Sequence, residues 1–375
     1  MKRKPLVATV TAVIVVVALY TPYCHSTDCY IKSYYLLENF NSPKLYKLNV
    51  AVSKLLYEYY CGMDHRQVSV EDFAKFVTPF SLKPIADKLW EIYSTLEDFA
   101  NGVLMIVHQI PYEVTVSAKY PVETIVEDAG DCDLFSYIAA SIMKAGGLDV
   151  VLLYYPSEAH MNVGVYLPTP PQHARRPIRY VTYKGVCYYV AECTGDNWMV
   201  GWRVGECPDS LLNAECQIIS LEIFEEWSPQ VSASYKSLSA STISLTTSSN
   251  IGIQGTTFIL SGQLLPKMQN KSVTIYFRVG GSSWNMLAVT RTDAEGKFSW
   301  AWIAEGAGIY QFRASWSGDD DYACADSQTI TITVLSTLFL LMFVVAIVSV
   351  CIGIVIFLTS LQSHQEIEEP TFPSA

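Results

Sequence analysis

Positive charge is scarce in this chain. Lys and Arg number 25 against 36 Asp and Glu, a formal net charge of −11, and no basic run exists beyond the first four residues. Gripping phosphates needs concentrated Lys and Arg, so nucleic acid is excluded as a partner. Cys-x-x-Cys is absent and His25 stands isolated, which argues against zinc. An Asp-x-Asp-x-Asp-Gly loop is also absent, so no calcium requirement is expected. The sequence therefore predicts no metal and no cofactor. Lys and Arg are missing from the acidic tail, 359–375, with Glu366, Glu368 and Glu369, so the tail does not report its own side of a membrane.

Apolar residues make up 50% of the chain, ample for a core, and its 375 residues predict more than one domain. Both ends are hydrophobic. Lys2, Arg3 and Lys4 precede an apolar stretch from Leu6 to Tyr20. Residues 1–21 read as a signal peptide or short signal anchor, and the poor small-residue site before Thr21 favours an uncleaved anchor. Residues 335–358 run from Leu335 to Leu358 without a charge, long enough to span a bilayer. The N-terminal Lys/Arg cluster should stay in the cytoplasm, which places about Thr21 to Val334 outside the cell. The sequon Asn270-Lys271-Ser272 is compatible with that side. In that compartment eight of the ten cysteines are candidates for pairing, leaving aside Cys351 inside the apolar span and Cys132 at the start of a predicted helix. Cys24 with Cys29, and Cys207 with Cys216, are close in sequence, although spacing does not fix connectivity.

Residues 22–108 carry a helical pattern. Ser69-Val70-Glu71-Asp72 resembles an N-cap, and Ile85, Lys88, Leu89, Ile92, Leu96 and Phe99 recur at helical spacing after Pro84. This predicts a helical lead-in packed on the next unit. A further helix begins at Cys132 and should end at Gly146-Gly147. Strand formers then gather at Val150 to Tyr155, His160 to Tyr166, Val186 to Glu192 and Trp198 to Val200. A loop with Pro168, Pro170, Pro171 and Pro177 also carries Arg175, Arg176 and Arg179. Helix first and successive short strands after it predict an α+β unit over 109–228 with an antiparallel sheet. From 229 to 334, Ser- and Thr-rich composition gives way to short alternating strands, which predicts a β-sandwich. It lacks the Cys-Trp-Cys pattern of antibody domains, and resembles the Ig-like modules of prokaryotic surface proteins through Thr292-Asp293-Ala294-Glu295-Gly296-Lys297-Phe298 and Ala314-Ser315-Trp316-Ser317-Gly318-Asp319.

The chemistry concentrates at Gly130-Asp131-Cys132-Asp133. A cysteine at a helix start meets unpaired N–H groups and the positive dipole end, both of which favour thiolate. His160 opens one strand and Glu192 closes another. Thiol, imidazole and carboxylate are the parts of an activated sulfur nucleophile. Alternation puts His160, Asn162 and Gly164 on one strand face and Met161, Val163 and Val165 on the other. Asp131 is a candidate helix cap. Asp131 and Asp133 would oppose a thiolate by like charge. Asp196 is the nearest rival to Glu192, but Gly195-Asp196-Asn197 reads as a turn. Trp198 and Tyr188 are candidates to line a cleft or to sit in the core.

Tyr120-Pro121-Val122-Glu123-Thr124, Gly130-Asp131-Cys132-Asp133 and His160-Met161-Asn162-Val163-Gly164-Val165 together resemble the transglutaminase-like cysteine enzyme superfamily, in its prokaryotic, chiefly archaeal, membrane-attached branch. The resemblance covers about Gln109 to Gly201. It implies a papain-like core in which Cys132 attacks a carboxamide or peptide carbonyl, His160 is the base and Glu192 orients the imidazole. The third position reads Glu192-Cys193-Thr194 where the family usually carries Asp-Pro-Thr. Cys132 N–H is a candidate oxyanion donor at the helix start, and Gln109 is a second candidate. Substrates would be extracellular proteins or peptides, undergoing hydrolysis or acyl transfer. A secreted cysteine peptidase shares this chemistry. A non-catalytic adhesin or scaffold on the same fold is the competing class, and oligomeric state is not encoded legibly.

Overall fold

A computed structural model of the protein describes residues 29–40, 44–195, 197–221 and 228–366. The apolar stretch Leu6 to Tyr20, Cys24, Asp196 and the tail beyond Glu366 lie outside the described residues. The chain is a mixed helix and sheet protein with many strands and an apolar C-terminal helix.

The lead-in is not wholly helical. It begins with an antiparallel hairpin of β1 (Cys29–Leu37) and β2 (Leu45–Ser53). In β1, Tyr34 and Leu36 point into the core while Ile31 and Tyr35 stay exposed, the period of two that defines a half-buried strand. Four helices follow: α1 (Lys54–Cys61), α2 (Pro79–Ile92), α3 (Leu96–Val107) and α4 (Pro121–Glu127). Ser69 does begin a helical turn, a 3-10 segment over Val70–Phe76 whose capping box closes through Asp72.

Helix α5 (Cys132–Ala145) is the organising element. Eleven of its 14 residues are buried, so its axis is fixed by packing on nearly every side. Gly146 caps it and Gly147, at φ +88°, turns the chain away as expected. Helices α2 and α3 and the sheet all contact α5. Residues from Tyr34 to Ala233 share one hydrophobic core, so the lead-in and the α+β unit form one packed body.

The sheet is antiparallel, with order β5-β6-β4-β3-β7. Its strands are β3 (Val150–Tyr155), β4 (His160–Tyr166), β5 (Tyr180–Tyr183), β6 (Val186–Ala191) and β7 (Gln217–Ser220). Met161, Val163 and Val165 enter the main core with α5. Val151, Leu153, Tyr188 and Val190 form a smaller cluster on the opposite face. Gly164 lets those layers close, since a Cβ there would lie 2.8 Å from a Val151 methyl. Trp198 to Val200, expected as a strand, is a turn.

Strand β8 (Ser232–Ser234) pairs with β2 rather than opening the sandwich. Two sheets follow. One joins β9 (Thr242–Ile243), β10 (Thr246–Thr247), β12 (Thr257–Leu265) and β15 (Lys297–Ile303). The other joins β11 (Ile251–Ile253), β13 (Ser272–Val279), β14 (Asn285–Arg291), β16 (Gly308–Trp316), β17 (Ala325–Asp326) and β18 (Ile330–Leu335). Phe258, Leu260, Phe298 and Trp302 of the first meet Ile275, Phe312 and Ile332 of the second in a core of their own.

Cysteine pairing differs from the expectation. Cys29 is bonded to Cys324, which ties β1 to the sandwich, while Cys207 and Cys216 are free. Proximity in sequence misled because the fold brings Cys29 to a partner 295 residues away. Contacts at this junction include Leu55 N–H donating to Asp326 Oδ2 at 2.7 Å and Ser53 with Ser315 at 2.9 Å.

Helix α6 (Thr337–Glu366) follows β18 directly. Its segment Leu341–Thr359 has a mean hydropathy of 3.2 and no buried share. Among the described residues it is one helix long and apolar enough to cross a membrane.

Candidate active site

Cys132 is the first residue of α5 and is buried. Its position is set from behind by packing of Leu134, Phe135 and Ile138, and by Gly130 immediately before it. A Cβ on Gly130 would come within 3.1–3.2 Å of Phe135, Leu134 and Thr124, so a larger residue would push the helix start outward. Gly130 also exchanges backbone bonds with the preceding extended segment, donating to Pro111 O at 3.2 Å and accepting from Glu113 N at 2.7 Å. That segment exposes Tyr112, Val114 and Val116.

The Cys132 thiol lies 3.8 Å from Ala159 O. Ala159 has φ +46° and ψ +48°, a left-handed conformation that costs an Ala roughly 1–2 kcal/mol. This turn delivers the chain into β4 with His160 first. His160 Nε2 meets Glu192 Oε2 at 3.0 Å and Oε1 at 3.1 Å. Cys132 acts on the same imidazole, raising its pKa together with Glu192. With Nε2 engaged by Glu192, Nδ1 is the nitrogen left for sulfur. The structure thus joins His160 to Glu192 and sets the Cys132 thiol against the residue that precedes His160.

Register explains the carboxylate. β4 and β6 pair Val163 with Ala191, so the next step sets Asn162 and Glu192 on one face, with His160 two residues further. Glu192 is fully buried. Its Oε2 accepts from Asn162 Nδ2 at 3.2 Å, and its Oε1 accepts from Thr194 N at 2.9 Å and Thr194 Oγ1 at 2.6 Å. Burial alone would raise its pKa, but the bonds from His160 and Thr194 hold it below the ordinary carboxylate value. Burial likewise disfavours a charged His160, yet Cys132 and Glu192 together push the imidazole up to about 10. Each partner favours the charged form of the other.

Two residues at this site were missed in the sequence. Asn162 was placed on the His160 face without a role, and it supports Glu192. His108, buried at the end of α3, donates from Nε2 to Glu192 O at 2.9 Å. Burial lowers its pKa and keeps it neutral. Only its position after an apolar helix could have drawn attention to it.

Gln109 does not serve as expected. Both N–H groups of its amide are engaged, with Tyr35 O at 2.8 Å and Met105 O at 2.7 Å, and its oxygen accepts from Tyr35 N at 2.8 Å. The amide is an extra rung on β1, with no donor left for an oxyanion. Asp131 precedes the helix but makes no side-chain cap. Its Oδ2 holds Thr115 N at 2.8 Å and Thr115 Oγ1 at 2.9 Å. Tyr188 is core, with its hydroxyl on Asp149, while Trp198 is half-buried and stacks on Tyr35. Arg175 leaves the loop to pair with buried Glu206 at 2.8 Å. Cys193 is fully buried beside Glu192, and burial pushes its thiol well up. Among the described residues no group of three His, Cys, Asp or Glu is arranged to hold a metal ion.

No known protein family matches the chain, and no curated protein matches it. Among solved structures it is similar to the human F-spondin reeler domain, at 14% identity and a TM-score of 0.19, over 25% of this chain and 88% of that one. It is also similar to the sulfur carrier protein SoxY from Chlorobium limicola f thiosulfatophilum, at 12% identity and a TM-score of 0.19, over 26% and 86%. Neither likeness bears on the site.

Proposed function

We propose that this protein is a membrane-tethered thiol enzyme of transglutaminase-like type, acting on amide or peptide bonds of proteins or peptides outside the cell. One observation carries the reading: a buried carboxylate, Glu192, lies 3.0 Å from the imidazole of His160, and the thiol at a helix start lies 3.8 Å from the carbonyl of Ala159, the residue just before that imidazole. His160 Nδ1 takes the proton from Cys132 Sγ, and the sulfur attacks the carbonyl carbon. The tetrahedral oxyanion is held by the Cys132 N–H, which has no acceptor inside its own helix. The C–N bond breaks, His160 gives its proton to the departing amine, and a thioester remains. Water or a second amine attacks the thioester, passes its proton to His160, and the thiol is restored as that proton returns to sulfur. Glu192 fixes the imidazole tautomer and stabilises the imidazolium in both halves.

Tyr112, Val114 and Val116 stay exposed on the segment that bridges to Gly130 and offer an extended polypeptide an apolar edge. The Cys29–Cys324 disulfide favours an oxidising compartment, which supports the side expected from Lys2, Arg3 and Lys4. The β-sandwich, Ig-like in this reading, spaces the site from α6.

Iodoacetamide labelling tests the proposal. Cys132 is expected to react at near-neutral pH at least about tenfold faster than exposed Cys61. Cys132→Ala should remove the fast label, and His160→Ala should slow it by about a hundredfold or more. Labelling as slow as Cys61, unchanged by His160→Ala, would leave a binding platform and no enzyme.

A further inference from the structure

Strand register fixes which end of the sandwich faces α6. Leu335 closes β18, and α6 begins two residues later at Thr337. Parallel β11 sets Ile253 opposite Leu335 and Ile251 opposite Thr333. Antiparallel β16 sets Ile309 opposite Thr333. Ile251, Ile253 and Ile309 therefore lie within two residues of the level of Leu335, which is about 7 Å along a strand. In the facing sheet, Ile303 closes β15 and pairs with Thr257 at the start of β12. Ala304, the next residue, exchanges backbone bonds with Gly255 and Thr256, while Gln254 N donates to Leu335 O at 3.1 Å. Both sheets thus end together where the apolar helix leaves.

This end is apolar and bare. Ile251 and Ile303 are each 58% exposed, Ile309 55% and Ile253 42%. Single exposed isoleucines are ordinary, but four from three strands at one level make a patch. Over 249–257, 302–310 and 332–337 one residue is charged, Glu305. At the opposite end the turns are crowded with charge, including Lys267, Arg291, Asp293, Glu295 and the acidic run 319–321. We propose that the apolar end of the sandwich is seated in the headgroup layer of the bilayer that α6 crosses, with the four isoleucines against lipid. The seating rests on α6 being a membrane span, as read above, and not on the chemistry of Cys132.

The occupant follows from the covalent chain. The two steps from Leu335 to Thr337 reach at most about 7 Å, and the apolar run of α6 opens at Leu338. Hydrocarbon therefore begins within about one helical turn of the rim, and the headgroup layer is itself about 5–7 Å thick. No gap remains for a second protein between rim and lipid. A single carboxylate is tolerable at that depth, where water is still present, whereas the crowded turns of the other end are not. Ser336 alone would let the sandwich swing on α6. A seated rim holds it in one orientation, and the Cys29–Cys324 disulfide passes that orientation to the body that carries Cys132.

The test uses the full chain in vesicles of phosphatidylcholine that carries a diazirine high on one acyl chain. After photolysis, lipid adducts are mapped by mass spectrometry. Adducts are expected on α6, on 249–257 and on 302–310, with at least about tenfold less on the charged turn 291–297. Adducts confined to α6 overturn the seating and leave the span intact. Equal yields at the two ends of the sandwich also overturn it. Absence of adducts from α6 sinks the span and the seating together. Ile253→Gln with Ile303→Gln changes two exposed positions and spares the core. Half the transfer free energy of two isoleucines corresponds to about tenfold, so the double variant should lower the rim yield by that factor while α6 keeps its own. A rim yield unchanged in the double variant overturns the role of the isoleucines.

Discussion

Replacing Glu192 by Gln asks whether the buried carboxylate works through charge or through shape. The carboxylate accepts four hydrogen bonds, from His160, Asn162 and twice from Thr194. A glutamine oxygen can keep the two from Thr194. Its NH2 would then face the His160 Nε2–H and the Asn162 amide, donor against donor. The imidazole escapes that clash by moving its proton to Nδ1, the nitrogen nearest the thiol, where it can no longer serve as a base. A wrong tautomer of this kind costs about 10³- to 10⁴-fold in rate, or about 4–5.5 kcal/mol in barrier. Lost charge-assisted bonds should destabilise the fold by about 1.5–3 kcal/mol. Glu192→Ala, which leaves the donors unpaired in a closed interior, should cost about 3–5 kcal/mol. The assay is the iodoacetamide rate of Cys132, with thermal unfolding alongside. The sign with pH follows from both partners. His160 contributes stability below its ordinary 6.5 and loses it as pH rises through about 10. Glu192 contributes above its ordinary 4.5 and loses it as pH falls through its lowered value. The Tm gap between wild type and Glu192→Gln should be widest between 4.5 and 6.5 and should narrow as pH rises through about 10. A variant that labels within about threefold of wild type, with an unchanged Tm, would refute the role given to the carboxylate.

Three further outcomes are expected. Gln109→Ala should leave the labelling rate and any peptide turnover within about threefold while lowering stability by about 1–2 kcal/mol, because its amide serves β1; a loss of turnover of a hundredfold would restore it as an oxyanion donor. Non-reducing peptide mapping should recover Cys29 joined to Cys324, and Cys29→Ser should lower stability by a few kcal/mol, up to about 5–6 on the chain-entropy account of so long a loop. Glu206→Ala should destabilise by about 1–3 kcal/mol, since the backbone N–H groups of Arg175 and Arg203 lose a fully buried acceptor while the Arg175 side chain reaches solvent; a Tm within about a degree of wild type would contradict this.

What the sequence made legible was local. The start of α5 at Cys132, its end at Gly146-Gly147, and β3, β4 and β6 all carry period and punctuation on the chain itself. So do the sandwich strands and the apolar C-terminal helix. The hairpin β1–β2 was missed because tyrosines and leucines suit either periodicity, and Leu48 to Val52 are buried in an unbroken run that shows no alternation. Residues brought in from afar were also out of reach. His108 reaches Glu192 only through tertiary packing, and Cys29 finds Cys324 only after two layers have docked. Gln109 was misjudged for a related reason: its place just before Pro111-Tyr112 was visible, but its partner, the backbone of Tyr35, was not. Glu192 could be named in advance because strand alternation and the Glu192-Cys193-Thr194 sequence both point to it. That Thr194 would turn back onto the same carboxylate required the fold.

The bond between Cys29 and Cys324 also decides how the protein bears load. Cys324 stands a short way before Thr337, where the apolar helix begins. Tension applied at the N-terminal end would pass through the sulfur bridge and that brief stretch, bypassing everything from Tyr30 to Ala323. The working body would hang from the clasp, unstretched while its anchorage is pulled.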